Sequence, residues 1–231
     1  SFKIKFSILK KIFKLGLPSA LQMLFEVGFF TSAILLSGMI GKNSQAANQI
    51  ALNLSTISYM VAMGLSVAAM VRVGNYLGKL DFRELRRIAY SIFILIFLLD
   101  IIFCVIFLTL NNILPWIYLD SNNLNDYTDT IEVVKIASSL LIISAIFQIA
   151  DGIQAVVLGA LKGLQDVNIP TVITFISYWL VGFPVSYYLG IKYNYQAEGI
   201  WIGLLVGLTI SAFLVLLRFE IKINSLIKKS L

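Results

Sequence analysis

The chain has no histidine and a single cysteine, Cys104, among its 231 residues. A lone cysteine cannot form a disulfide within the chain, and a Cys/His metal site has too few ligands. Without histidine, general-base catalysis by imidazole and Ser–His or Cys–His nucleophile pairs are also excluded. The sequence is therefore not predicted to be an enzyme, and no cofactor is expected.

Charge is scarce as well: 13% of the residues are charged, 59% are hydrophobic, and the mean hydropathy is +0.90. Soluble domains are typically about 45–50% apolar and about 25% charged. A helix needs roughly 20 apolar residues to cross a bilayer core of about 30 Å. Segments of about that length recur six times, at 15–39, 48–71, 88–110, 133–160, 169–190 and 199–217. The sequence predicts an all-α polytopic membrane protein, a bundle of six transmembrane helices.

The basic residues are distributed unevenly between the two sides of this bundle. If successive spans cross the membrane in alternating directions, 15 of the 18 Lys and Arg residues lie on the side that also holds both chain ends. The positive-inside rule then places both ends in the cytoplasm, with the bundle in a cell's inner membrane. The net charge of +6 thus indicates an anionic membrane face and not nucleic acid. Frequent Ile, Lys, Asn and Phe favour an AT-rich bacterial genome.

We divide the chain into a basic linker at 1–14, a six-helix lobe at 15–217 and a basic cytoplasmic tail at 218–231. The linker is interpreted either as an amphipathic helix on the inner leaflet or as the basic flank of the first span. The chain begins with Ser and has no cleavable signal peptide, so we expect it to be part of a longer protein. Trp116, Trp179 and Trp201, near span ends, are predicted to be interfacial anchors.

Three of the twelve acidic residues fall within the predicted spans: Glu26, Asp100 and Asp151. Glu26 and Asp151 lie eleven residues from Leu15 and Lys162, which is roughly 16 Å into the bilayer. An ionised group at that depth costs about 2.5–3.5 kcal/mol on insertion scales. No Lys or Arg lies deep within a span, since Lys135 is at the very end of the fourth, so the carboxyl groups either stay protonated or hold an external cation. Asp100 has only apolar neighbours in "FLLDIIF", which favours a helix–helix contact.

Polar neighbours surround the other two carboxylates. Asp151 has Gln148 and Gln154 three residues to either side on the same helix face, and Glu26 follows Gln22 by about one turn. This pattern favours a functional site, although interhelical hydrogen bonding is the structural alternative. Both groups are also suitable ligands for a sodium ion.

The second span carries several polar side chains, including Asn53 and Tyr59. They are predicted to line a cavity for organic cations, where Tyr59 makes a cation–π contact. Close packing of small and hydroxyl residues between helices is an equally good interpretation. In the fifth span, Pro184 predicts a kink.

Four stretches resemble the C-terminal half of a multidrug and toxic compound extrusion (MATE) transporter. They are "GLPSALQMLFEVGFF", "AANQIALNLSTISYM", "VRVGNYLG" and "FQIADGIQAVVLGALKGLQDVNIP", and they occur in the family's order and spacing. The resemblance implies that this chain is the second of two six-helix lobes, with the N-terminal lobe missing. It also implies efflux of cationic or amphiphilic drugs in exchange for Na⁺ or H⁺.

By motif position, the resemblance makes Glu26 and Asp151 the acidic pair that couples to the cation, and Tyr59 their aromatic partner. Substrate or cation contacts are expected from Tyr59, Asn53, Gln148, Gln154 and Gln22. The partners expected are small cationic substrates, membrane lipid and the absent lobe.

Three alternatives remain at this stage. A lipid-linked precursor flippase of the same superfamily would favour basic residues inside the cavity, and none is evident in this half. A purely structural membrane module would need no exchangeable charge. An intramembrane aspartyl protease would use Asp100 and Asp151 as a dyad, but "LLDII" and "IADGI" do not suggest that chemistry.

Overall fold

The computed structural model describes residues 6–119 and 127–230. Within them lie six helices long and apolar enough to cross a membrane, and no β-strand. This confirms the predicted six-helix bundle. The helices are α1 (Phe6–Ile40), α2 (Lys42–Gly78), α3 (Phe82–Leu110), α4 (Tyr127–Gly163), α5 (Asn168–Lys192) and α6 (Gln196–Ser230).

Each helix is longer than the hydrophobic segment that predicted it. Residues 6–14 of the predicted linker form the first turns of α1. Residues 218–230 of the predicted tail form the last turns of α6. Residues 1–5 and 231 lie outside the described residues. Connections are short where they are described: Gly41 alone separates α1 from α2, and Asp81 caps α3 by accepting a hydrogen bond from the Glu84 amide at 3.1 Å. A 3₁₀ turn, Leu114–Ile117, follows α3.

The helix α4 lies at the centre of the lobe and packs against α2, α3 and α6. One core surrounds Phe147, whose ring lies 5.4 Å from that of Trp201. A second core contains Phe93 and Phe219, with ring centroids 5.2 Å apart. Trp201 is 0% exposed, and its indole donates to Asn48 Oδ1 at 2.9 Å. The prediction that Trp201 is an interfacial anchor is therefore wrong, because its nitrogen has a buried partner.

The fifth span changes its hydrogen-bonding pattern along its length. It begins as an α-helix at Asn168–Phe175, becomes π-helical at Ile176–Gly182, returns to α at Phe183–Tyr187 and ends as π at Tyr188–Lys192. Pro184 lies two residues after the end of the first π segment. Proline has no amide hydrogen, so the regular ladder cannot continue through it, and the wider π turns are one way to accommodate that loss.

Polar contacts tie the helices together at both ends of the bundle. At the end where the chain begins and ends, Arg218 binds Asp166 at 2.7 Å, and Arg86 binds Glu220 at 3.0 Å. At the opposite end, Lys42 binds Asp129. These pairs connect α6 to the α4–α5 turn, α6 to α3, and α2 to α4.

Close approach of α2 and α4 depends on Gly159. A Cβ built there would collide with the backbone of Ser66, whereas a Cβ on Gly64, exposed on α2, meets nothing within 4 Å. We expect Gly159→Ala to destabilise the fold by about 1–3 kcal/mol through overpacking. The control Gly64→Ala should stabilise it by about 0.5–1 kcal/mol through helix propensity. Thermal unfolding in detergent measures both, and equal shifts would contradict the close approach.

Candidate functional site

Glu26 and Tyr59 meet at the boundary between two cavities. The Tyr59 hydroxyl, on α2, donates a hydrogen bond to Glu26 Oε1, on α1, at 3.0 Å. Both side chains border cavity A, of about 300 Å³, and cavity B, of about 340 Å³. The predicted pairing of these two residues thus corresponds to a direct contact.

Cavity A lies toward the end of the bundle that carries the chain ends. Besides Glu26 and Tyr59, its polar border consists of Ser19, Gln22, Ser66, Gln154 and Lys162. Cavity B lies toward the opposite end. Its polar border adds Thr31, Ser55, Thr56 and Asp151, and its apolar wall includes Phe30 and Phe147.

Asp151 reaches cavity B from α4 and is 6% exposed. The structure therefore brings Glu26 and Asp151 to one cavity from different helices, and the two carboxyl groups interact electrostatically. Like charges in a low-dielectric site repel strongly. The two carboxyl groups are therefore not both charged unless a cation is bound, and otherwise at least one of them holds a proton.

Of the predicted glutamines, Gln22 and Gln154 border cavity A and both are buried. Gln154 also accepts a hydrogen bond from the Tyr178 hydroxyl at 2.8 Å, and the Tyr178 ring stacks on Phe29 with centroids 4.7 Å apart. Phe29 and Tyr178 thereby fix the orientation of the Gln154 amide behind the cavity. The sequence did not single out Tyr178, because the contact that gives it a role comes from Gln154, 24 residues earlier on another helix.

Two predicted contact residues lie away from both cavities. Gln148 is buried and faces α3, where its amide nitrogen lies 3.5 Å from the Asp100 carbonyl oxygen. Asn53 is exposed on α2. The polar pattern of the second span placed Asn53 and Tyr59 in one wall, but six residues along a helix turn the two side chains to different faces.

A basic residue borders the site, contrary to the expectation that none lies inside a cavity of this half. Lys162 borders cavity A, and its ammonium acts electrostatically on Glu26. The sequence contained a signal for it, because Lys162 follows Leu158 and Gln154 at intervals of four, on one face of α4.

The arrangement offers two chemistries. Carboxylate, phenol and hydroxyl oxygens converge on cavity B, and such ligands suit a hard cation. Within 6–119 and 127–230 there is no group of three or more His, Cys, Asp or Glu side chains that would mark a multi-carboxylate metal site. The aromatic wall of cavity B suits the apolar body of an organic cation.

Known proteins resemble this chain over nearly its whole length. The multidrug resistance protein NorM of Aliivibrio fischeri is 39% identical over 212 residues, which cover 90% of this chain and 44% of that protein. A probable multidrug resistance protein NorM of Agrobacterium fabrum is 36% identical over 214 residues, covering 93% of this chain and 45% of that protein. The chain spans less than half the length of these curated relatives.

Solved structures share the fold. The eukaryotic MATE transporter AtDTX14 superposes with a TM-score of 0.83 at 22% identity, covering 100% of this chain and 51% of that one. A MOP superfamily transporter from Pyrococcus furiosus, described as having a binding pocket of reverse polarity, has a TM-score of 0.75 at 16% identity, with 89% and 43% covered. A family model described as MatE matches residues 18–188. This match confirms the resemblance inferred from the motifs, and the chain belongs to the MatE family.

Proposed function

We propose that the protein containing this chain is a secondary active antiporter that exports cationic or amphiphilic drugs in exchange for Na⁺ or H⁺. The observation that carries the proposal is the hydrogen bond from Tyr59 to Glu26 at the boundary of cavities A and B, with Asp151 buried beside cavity B. This arrangement puts carboxyl groups, which can exchange a proton for a cation, next to both cavity A and cavity B. The drug-resistance names of the relatives support the proposed substrate class.

Coupling follows from charge neutrality in a poorly solvated site. Glu26 and Asp151 are neutralised by protons, by a sodium ion or by a cationic substrate, and each occupant displaces the others. An occupant that binds one lobe arrangement more tightly shifts the population toward it. Exchange of occupants on opposite sides of the membrane is then antiport, with both chain ends of this lobe in the cytoplasm.

Glu26 and Tyr59, which one hydrogen bond joins, border both cavities together with Met23. A cation that binds Glu26 competes with the Tyr59 hydroxyl for the same carboxylate. Loss of that bond frees both side chains to move, which joins cavity A to cavity B. In this proposal the bond acts as a local partition whose state follows the occupancy of Glu26.

The remaining wall of the pathway is assigned to a second lobe. Cavities A and B are open on the side where α1 and α2 expose apolar side chains such as Met23, Val27 and Met60. Relatives about twice as long as this chain supply the material for such a lobe. Its packing against α1 and α2 would close both cavities from lipid.

A second candidate is a flippase for an anionic lipid-linked precursor. Lys162 in cavity A favours it, because a fixed cation in a cavity binds phosphate or pyrophosphate. Against it, Glu26 borders the same cavity and compensates that charge. The efflux experiment below separates the two candidates.

The antiporter proposal predicts that both carboxyl groups are required. In vesicles carrying the full-length protein, efflux of a fluorescent cationic dye should follow an imposed Na⁺ or pH gradient. Glu26→Gln and Asp151→Asn should each lower gradient-driven efflux by about tenfold or more, equivalent to roughly 1.4 kcal/mol of lost coupling. Glu84→Gln, which neutralises a half-exposed carboxylate at the start of α3, should leave it unchanged.

Efflux that survives in both variants would discard the site while keeping the transporter. An absence of dye efflux in folded wild-type protein would discard the antiporter and favour the flippase.

A separate prediction concerns the charge of Lys162. Replacing Lys162 by Gln removes a positive charge that competes with bound cations for Glu26. At an effective dielectric constant of about 20, this should strengthen cation binding by about two- to tenfold. The control is Lys79→Gln, which removes an ammonium that lies over the Tyr76 ring at the same end of the bundle. Titration of Na⁺ against thermal stability in detergent measures both, and weaker binding in Lys162→Gln would contradict the assignment.

A further inference from the structure

The turn of α1 that carries Glu26 is held in place by a tryptophan of α5. The indole nitrogen of Trp179 donates a hydrogen bond to the Phe25 carbonyl oxygen at 3.2 Å. The same ring covers Gly28, because a Cβ built there would lie 3.0 Å from the Trp179 Cζ2 atom. Phe25 and Gly28 lie on either side of Glu26 in sequence. Trp179 borders neither cavity A nor cavity B, yet it contacts the turn from which Glu26 projects.

This hydrogen bond joins two helices without breaking either. In the continuous α-helix Phe6–Ile40, the Phe25 carbonyl oxygen also accepts from the Phe29 amide. A carbonyl oxygen has two lone pairs and can accept both hydrogen bonds. Trp179 lies near the middle of α5, whereas interfacial anchors lie near span ends. The predicted anchor role therefore does not account for this residue.

Trp179 and Tyr178 both face α1, although they are adjacent in sequence. The Tyr178 ring stacks on Phe29 with centroids 4.7 Å apart, and Trp179 donates to the α1 backbone one turn earlier. Successive side chains of an α-helix point about 100° apart, since 3.6 residues make one turn. Both aromatic residues lie in the π segment Ile176–Gly182, whose wider turns bring successive side chains closer in direction. The π segment thus directs two neighbouring aromatic residues onto α1.

The two aromatic contacts restrict α1 in different ways. Phe29 is 0% exposed and lies against Gly182 of α5 and Gly207 of α6, where an added Cβ would collide with its ring. This packing fixes how closely α1 approaches α5 and α6. A hydrogen bond is directional, so the bond from Trp179 also fixes the position of Phe25 along the axis of α1.

We propose that Trp179 is a positioning residue of the cation site, whose hydrogen bond to α1 sets the position of Glu26 relative to Asp151. The inference rests on the proposed antiport function and adds a residue that touches neither ion nor substrate. A cation shared by the two carboxyl groups needs both at coordination distance. Asp151 is held by α4, while Glu26 moves with α1. Without the indole N–H, α1 is free to shift along α5, and the fraction of molecules competent to bind the cation falls.

The test is dye efflux from vesicles carrying the full-length protein, driven by whichever gradient, Na⁺ or pH, drives the wild type. The two readouts are the maximal rate and the ion concentration that gives half of it. Benzothienylalanine in place of Trp179 keeps the bicyclic ring and exchanges the N–H for sulfur, so it removes the hydrogen bond alone. We expect the half-maximal concentration to rise by about three- to tenfold, the value of one hydrogen bond. The maximal rate should change by less than about twofold, because a saturating ion restores the competent state.

Glycine variants test the same contact from α1. Gly28→Ala pushes the indole away from the backbone and should raise the half-maximal concentration as well. Gly16→Ala is the matched control, because a Cβ at that position of the same helix meets nothing within 4 Å. Trp116→Phe, in the 3₁₀ turn after α3, is the control for Trp179→Phe. A variant that only loses folded protein lowers the maximal rate and leaves the half-maximal concentration unchanged.

Ultraviolet resonance Raman spectroscopy measures the hydrogen bond without transport. The difference between wild type and Trp179→Phe should contain the band of a hydrogen-bonded indole N–H, and Gly28→Ala should shift it toward the unbonded position. Wild-type efflux whose half-maximal ion concentration is unchanged by benzothienylalanine and by Gly28→Ala overturns the inference and leaves the antiporter. An unbonded Trp179 indole in the wild type also overturns it. A folded wild type without gradient-driven efflux removes the proposed function, and the role of Trp179 with it.

Discussion

Burial of carboxyl groups in an apolar bundle is the constraint on which the rest of this lobe depends. Asp151 is buried and Glu26 is partly buried among hydrophobic helices, so their charges are screened much less than surface charges are. The hydrogen bond from Tyr59 is the direct protein contact that stabilises negative charge on Glu26. Because Glu26 and Tyr59 also border both cavity A and cavity B, the residues that set the electrostatics of the site line both of its cavities.

The packing of α4 makes this burial feasible. Glycines at 152 and 159 let α3 and α2 approach the α4 backbone closely, where larger side chains would collide. Small residues at helix crossings are the usual means of bringing membrane helices together. In this lobe the two glycines also fix the orientation of α4. The neighbouring Asp151 and Gln154 are then directed toward the cavities between α4, α1 and α2.

The sequence predicted the six spans, because hydrophobic length and the rise per residue of a helix determine them. It did not predict which face of each helix meets which neighbour. Asn53 and Tyr59 share a polar stretch, yet only Tyr59 borders a cavity. Trp201 near a span end is buried because Asn48, 153 residues earlier, accepts its hydrogen bond. Contacts at that separation depend on tertiary packing, which periodicity does not encode.

Lys162 shows why it matters for the mechanism which side chains of α4 point toward each cavity. Toward cavity A, Glu26 has the ammonium of Lys162 as a neighbour, and toward cavity B it has the carboxyl group of Asp151. A negative charge on Glu26 is therefore favoured on one side and opposed on the other. In the proposed antiporter, a cation bound in cavity B reverses that preference, because it compensates Asp151 and draws Glu26 toward itself. Two neighbours of opposite charge on one helix would then make the position of Glu26 depend on what cavity B contains, which is the coupling that antiport requires.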